Sequence, residues 1–202
     1  MTAKVVGDEA IARTRAWVEQ AVIGLNLCPF AKAVQVREQI RYVSTPATDA
    51  DGLLAALCDE LHRLAAADPA ALETTLLIHP RAMIDFLDYN EFLEAADAAV
   101  EALGYTGVLQ VASFHPRYQF AGTTADDVTN ASNRSPHPTL HLLRESSIDR
   151  AVQGFGETDE IYRSNLRTLE ALGPAGWAAV QARIYAADGS ASAVDGPAGA
   201  SA

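Results

Sequence analysis

The 202-residue sequence predicts an α/β fold: a single domain built on a short parallel sheet of about three strands in the order βαβαβ, flanked by helices and extended by helices at both ends. Three observations predict it. Apolar runs of strand length alternate with longer stretches of helical period, the order that yields parallel strands. Each strand-like run stops on a proline, which forbids further pairing. Two of the stops share one dipeptide, His79-Pro80 and His115-Pro116, while the third is Thr45-Pro46.

The first periodic segment spans about 8 to 25, with Ile11, Thr14, Val18, Ala21, Val22 and Leu25 on one stripe and Asp8 as the expected cap. A loop holding Cys28-Pro29-Phe30 leads to a strand near 39–45, where Ile40 and Tyr42 alternate with Arg41 and Val43. Asp49 and Asp51 mark the start of a helix carrying Leu53, Leu54, Leu57, Leu61 and Leu64, which ends near Asp68-Pro69. Residues 74–79 form a continuous apolar run, as expected of a strand covered on both faces. The next helix carries Phe92, Leu93, Ala96, Val100 and Leu103 and stops at Gly104. Residues 107–115 are the third strand.

Beyond it, residues 116–138 have no period and are long for a connection, which marks a functional or disordered loop; its arginines and aromatics favour an ordered one. Pro138 is read as opening a helix through Leu140, Leu143 and Ala151. A further helix follows Thr158, and 177–185 reads as one more short helix. The domain runs from 8 to 185; residues 186–202, mostly Ala, Gly and Ser, are expected to be a disordered tail.

A formal charge of −11 and a pI near 4.8 argue against nucleic acid and anionic membranes as partners, since both reward a basic surface. No stretch reaches the ~18 apolar residues of a membrane span, and residues 1–8 lack a signal-peptide core, so a cytoplasmic location is expected. Cys28 and Cys58 are too few for a disulfide framework. The acid is unevenly placed: residues 115–147 hold three basic and three acidic side chains and three of the five histidines. That neutral segment suits an anionic ligand.

Parallel strands joined by helices put all three proline-stopped tips on one sheet edge, where open α/β sheets bind ligands. Neighbouring strands lie ~4.8 Å apart, so the imidazoles of His79 and His115 are expected to share a ligand or metal. His141 and Glu145, four apart on the expected helix, would complete a set suited to zinc, iron or manganese, with Asp126 or Asp127 in reserve. The competing interpretation is a solvated His-Glu pair and a capped strand end. Cys28, if Pro29 opens a short helix, becomes a candidate nucleophile with His115 as its base; alternatively it is a small apolar plug beside Leu27 and Phe30. Cys58, among leucines, reads as core, and His62 as solvated. Arg117, Arg134 and Arg144 are candidates for holding a negative group, with Tyr118, Asn130 and Asn133 supplying neutral hydrogen bonds. Each also has a structural alternative in a surface ion pair or a turn.

The strings Gly24-Leu25-Asn26-Leu27-Cys28-Pro29-Phe30-Ala31, Ala112-Ser113-Phe114-His115-Pro116-Arg117-Tyr118-Gln119-Phe120 and Leu140-His141-Leu142-Leu143-Arg144-Glu145 resemble those of a bacterial family of unknown function, DUF1415, over roughly residues 11–172. The resemblance implies no substrate, cofactor or catalytic residue. Because an aromatic usually stands in that family where this chain has His137, it implies no essential role for His137. The residues themselves point to a soluble enzyme acting on a small anionic substrate at a His-rich, metal-binding strand-tip site. A metal-free Cys28 thiol enzyme and a non-catalytic ligand- or protein-binding module are the alternatives.

Overall fold

The computed structural model describes residues 3–149 and 158–186. The expected tail, apart from Ala186, lies outside the described residues.

The fold class is as predicted, with one addition to the sheet. Helix α1 (Ala3–Trp17) runs into a π-helical turn at Val18–Ile23, and the short α2 (Ala31–Val36) leads into β1 (Ile40–Ser44). Helix α3 (Ala50–Ala66), β2 (Thr74–Ile78), α4 (Phe86–Ala102) and β3 (Leu109–Phe114) follow in the expected order. Asp49 caps α3 by accepting from the Gly52 N–H at 2.9 Å, satisfying one orphan donor of the first turn. Asp8 is not the cap of α1, because the helix begins one turn earlier at Ala3.

Residues 139–144 form a fourth strand, β4 (Thr139–Arg144), where a helix was expected. Leu140 and Leu142 point to one face and His141 and Leu143 to the other, a period of two. The helix reading followed Pro138 and the helix-forming leucines, but pairing on both sides settles the backbone as strand. The sheet order is β1-β2-β4-β3, with β1 and β2 parallel and β4 antiparallel to both its neighbours. Residues 145–149 turn back into helix, and α5 (Thr158–Ala186) closes the described chain, broken at Gly173 (φ 66°) before Pro174. The short helix expected at 177–185 is the second half of α5.

Helices α3 and α4 cover one face of the sheet, burying Leu53, Leu57, Leu61, Tyr89 and Phe92 against Leu77, Leu140 and Leu142. The other face buries Leu76 beneath Trp17, Val18, Leu169, Trp177 and Ile184, from α1, the π turn and α5. Covered on both faces and paired on both edges, β4 is the centre of the core.

Candidate functional site

The tips of β2 and β3 lie on one edge, as predicted, but β4 stands between them: Ile78 and Phe114 are both register partners of Thr139. His79 and His115 are therefore two strand spacings apart, roughly 10 Å. The ring of Tyr89, from α4, fills the gap, with its centroid 5.6 Å from His79 and 5.1 Å from His115. Tyr89 is fully buried; its hydroxyl donates to the Thr139 carbonyl at 2.9 Å and accepts from the Phe114 N–H at 3.1 Å. Tyr89 extends the stripe of Phe92 and Ala96 by one helical repeat, its only mark in the sequence.

Each imidazole holds backbone. His79 donates from Nδ1 to the Ala82 carbonyl at 3.0 Å, which leaves Nε2 as a buried acceptor without a partner among the described residues. Burial pushes its pKa down to about 4, so it is neutral at physiological pH. His115 accepts the Arg117 N–H on Nδ1 at 3.0 Å, which fixes the Nε2–H tautomer, and Nε2 lies 3.3 Å from the Met83 carbonyl. Desolvation lowers its pKa as well. Arg117 then donates to the Ile84 carbonyl at 2.9 Å and to Asp85 at 3.0 Å. Three consecutive carbonyls, of residues 82, 83 and 84, are thus gripped by three side chains from the two His-Pro tips.

The metal set is not assembled. His141 lies on β4 and faces the α1 side of the sheet, 6.0 Å from the Phe114 ring, whereas His79 and His115 face α4. Because Thr74 Oγ1 gives its proton to the Leu142 carbonyl at 2.6 Å, it must accept from His141 Nε2, 2.7 Å away. Glu145 lies past the far end of β4, where its N–H meets the Val108 carbonyl; six residues of strand put it ~20 Å from the tips. Asp126 and Asp127 are turned to local hydroxyls, Thr124 and Thr129. Among the described residues, no group of three His, Cys, Asp or Glu side chains is close enough to hold a metal ion.

Two of the expected anion-holding arginines are structural. Arg144 is at the far edge and buried, and its Nη2 reaches the carbonyls of Leu64, Ala67 and Leu72 at 2.6, 2.8 and 3.2 Å, a cationic cap on the C-terminus of α3. Arg134 ties the 116–137 loop together, donating to the carbonyls of Tyr118 at 3.0 Å and Ala125 at 2.6 Å. Asn130 accepts from the Phe120 N–H and the Thr123 hydroxyl and donates to the Thr124 carbonyl, while Asn133 donates to Ser113. Tyr118 packs its ring between Phe86 and Phe120. The loop is ordered, and these side chains are what order it.

Cys28 precedes α2, whose N-cap is Phe30. Burial pushes its thiol pKa up, with the N–H groups of Phe30 and Ala31 opposing only in part, which is the reverse of an activated nucleophile. Cys58, on α3, is partly buried. His62 is exposed, with Nδ1 2.8 Å from the Tyr105 hydroxyl.

The family described as "Protein of unknown function (DUF1415)" matches residues 9–179. The chain belongs to the DUF1415 family. No curated protein and no solved structure matches it. The structure gives physical reasons for the three strings noted above. A Cβ on Gly24 would sit 2.4 Å from the Gln20 carbonyl oxygen, and Asn26 is left-handed at φ 54°, so the first string builds the tight exit from the π turn. The second string forms the carbonyl clamp, and the third forms β4 and the α3 cap.

The tips of β1 and β2, the parallel pair, carry an opening lined by both of their proline stops, Pro46 and Pro80. A cleft of about 320 Å³ lies between Ser44, Thr45 and Arg81 on the tips and Lys4, Gly7 and Asp8 on α1. Arg81 donates to the Pro46 carbonyl; neither it nor Lys4 has an ion-pair partner among the described residues. The buried Ser44 hydroxyl has no partner among the described residues, and Thr45 Oγ1 accepts from the Ala47 N–H, leaving its own proton to give. A larger, shallow hollow of about 480 Å³ at the other end of β1 contains two arginines. Both face Glu60: Arg41 spends Nε and Nη2 on it at 2.7 and 2.9 Å, and Arg63 Nε lies 3.5 Å from it.

Proposed function

We propose that this DUF1415 protein binds a small anionic molecule in the cleft over the tips of β1 and β2, with Lys4 and Arg81 taking its negative group and the Thr45 hydroxyl donating to it. The observation that carries this reading is the convergence of two cations without acidic partners on one cleft of a chain with formal charge −11. The position fits, because parallel strands end there and the crevice outside their carboxyl ends is where α/β sheets accept ligands. Asp8 is the acid in the cleft and leaves it one positive charge in excess. Two positive side chains in a cleft of about 320 Å³ favour a phosphate or a short carboxylate over a long or apolar ligand.

The expected catalysis by the histidines is not part of this proposal. Both nitrogens of His115 face backbone groups, and His79 Nδ1 is held by Ala82. The reading is tested by NMR titration of the full chain with inorganic phosphate and with a panel of mono- and dicarboxylates. Shifts confined to residues 4–11, 44–46 and 80–81 are expected, with about tenfold weaker binding in Arg81→Ala. Titrations that leave these residues unmoved, or an Arg81→Ala variant that binds as tightly as the wild type, overturn it.

A further inference from the structure

We propose that the loop 81–85 and the first turns of α4 form a docking surface for a protein whose binding face is apolar at its centre and rimmed by lysine and arginine. The inference does not rest on the anion cleft.

Its starting point is the carbonyl clamp. The chain leaving β2 is held at three successive carbonyls by His79, His115 and Arg117, and between the first and last of them Met83 takes φ 51°, a left-handed conformation that a residue with a Cβ rarely adopts. Beneath the loop, Phe86 packs at 5.4 Å from the His115 ring and 5.2 Å from Tyr118. So much anchoring would be expected to bury the loop's apolar side chains. Instead it displays them: Ile84 is 52 % exposed and Leu87 is 70 % exposed, three residues apart at the entry to α4. A rigid backbone presenting aliphatic side chains to solvent gives a low ordering cost on association.

Charge decides the kind of partner. Leu87 continues along α4 into Asp88, Glu91 and Glu94, all exposed and none with a basic partner among the described residues. Among the described residues the one salt bridge at the patch joins Asp85 to Arg117, so that carboxylate is already paired. An acidic helix face bordering two aliphatics is complementary to a basic-rimmed apolar hollow. It is repelled by a second copy of itself, so a homodimer through this face is disfavoured.

The test uses the isotope-labelled full chain and three synthetic peptides: an amphipathic helix with a leucine stripe between lysines, its scrambled isomer, and a version with glutamate in place of lysine. The amphipathic cationic peptide is expected to move amide signals of residues 83–95, to bind about tenfold more tightly than the scrambled isomer, and to lose about tenfold in affinity to the Ile84→Ser, Leu87→Ser double variant. The glutamate peptide is expected not to bind. Because both substituted side chains are exposed, the variant should fold, and an unchanged remainder of its spectrum verifies this. Equal binding of the cationic isomers would reduce the surface to bulk charge and overturn the proposal. So would full affinity in the double variant, or a self-association in sedimentation that the double variant abolishes.

Discussion

Acidification from pH 7.5 to pH 5 should unfold this protein more easily, and two imidazoles, the buried His79 and the half-buried His141, set the size of the effect. His79 and His141 each have a pKa of about 4 in the folded chain, against an ordinary value of 6.5, because burial disfavours the imidazolium. Above pH 6.5 both folded and unfolded forms are neutral and the contribution to stability is complete. Below it the unfolded chain takes up a proton that the folded chain refuses, so stability falls with falling pH until the folded pKa is passed. With these values each histidine costs about 2 kcal/mol by pH 5, and the pair up to about 4 kcal/mol. That is a large part of the ~5–15 kcal/mol that holds a typical domain. His115, with a lowered pKa, adds in the same direction. The lowered carboxylates Asp85, Asp126 and Asp127 begin to respond only as the pH falls into the ordinary carboxylate range, so stopping at pH 5 largely separates them. The assay is urea unfolding at half-unit steps of pH, on the wild type and on a His79→Asn, His141→Gln double variant. Asn can keep a donor near the position of Nδ1, and Gln near that of Nε2. The variant is expected to be less stable at pH 7.5 and much flatter with pH. A wild type whose stability does not change between pH 7.5 and 5, or a double variant with the same slope as the wild type, would refute the reasoning.

Two further outcomes separate structural from functional roles. Arg144→Met should destabilise the chain by about 3 kcal/mol, because the Leu64 and Ala67 carbonyls at the end of α3 and the Leu72 carbonyl before β2 lose the donor Nη2; phosphate titration of the surviving folded protein should be unaltered. Cys28 should alkylate slowly at pH 7 and faster only at strongly alkaline pH; measured against a free thiol standard, a reaction already maximal at neutral pH would mean the thiolate is stabilised after all.

Most of the secondary structure could be read from local pattern, because α3, β2 and α4 combine a clear period with clear stop residues. The strand tips were placed on the correct edge by the same logic. What the pattern hid was the partner between them. Residues 139–144 follow a proline and are rich in leucine, a good helix former, so their alternation of two was outweighed; a strand buried on both faces carries little of the polar alternation that would have announced it. Once β4 is in place the site predictions change together. His141 moves to the opposite face, Arg144 and Glu145 move to the opposite edge, and the gap between His79 and His115 is wide enough for Tyr89. The cleft lies at two proline stops that the sequence marks, Thr45-Pro46 and His79-Pro80, but its cations did not stand out: Lys4 is far away in sequence, and Arg81 follows His79-Pro80 just as Arg117 follows His115-Pro116. The clamp escaped notice because backbone carbonyls, its acceptors, leave no mark on a sequence.

The central position of β4 also bears on how the chain is made. Residues 75–78 and 109–114 both wait for partners at 139–144, so a ribosome that has released only the first 138 residues has produced β1 paired with β2 and a β3 with no neighbour. Its apolar faces and unpaired edges stay open until the last strand arrives and closes both gaps at once. Truncation before residue 144 should therefore yield an aggregating product rather than a smaller domain. The late strand is the step on which cooperative folding depends.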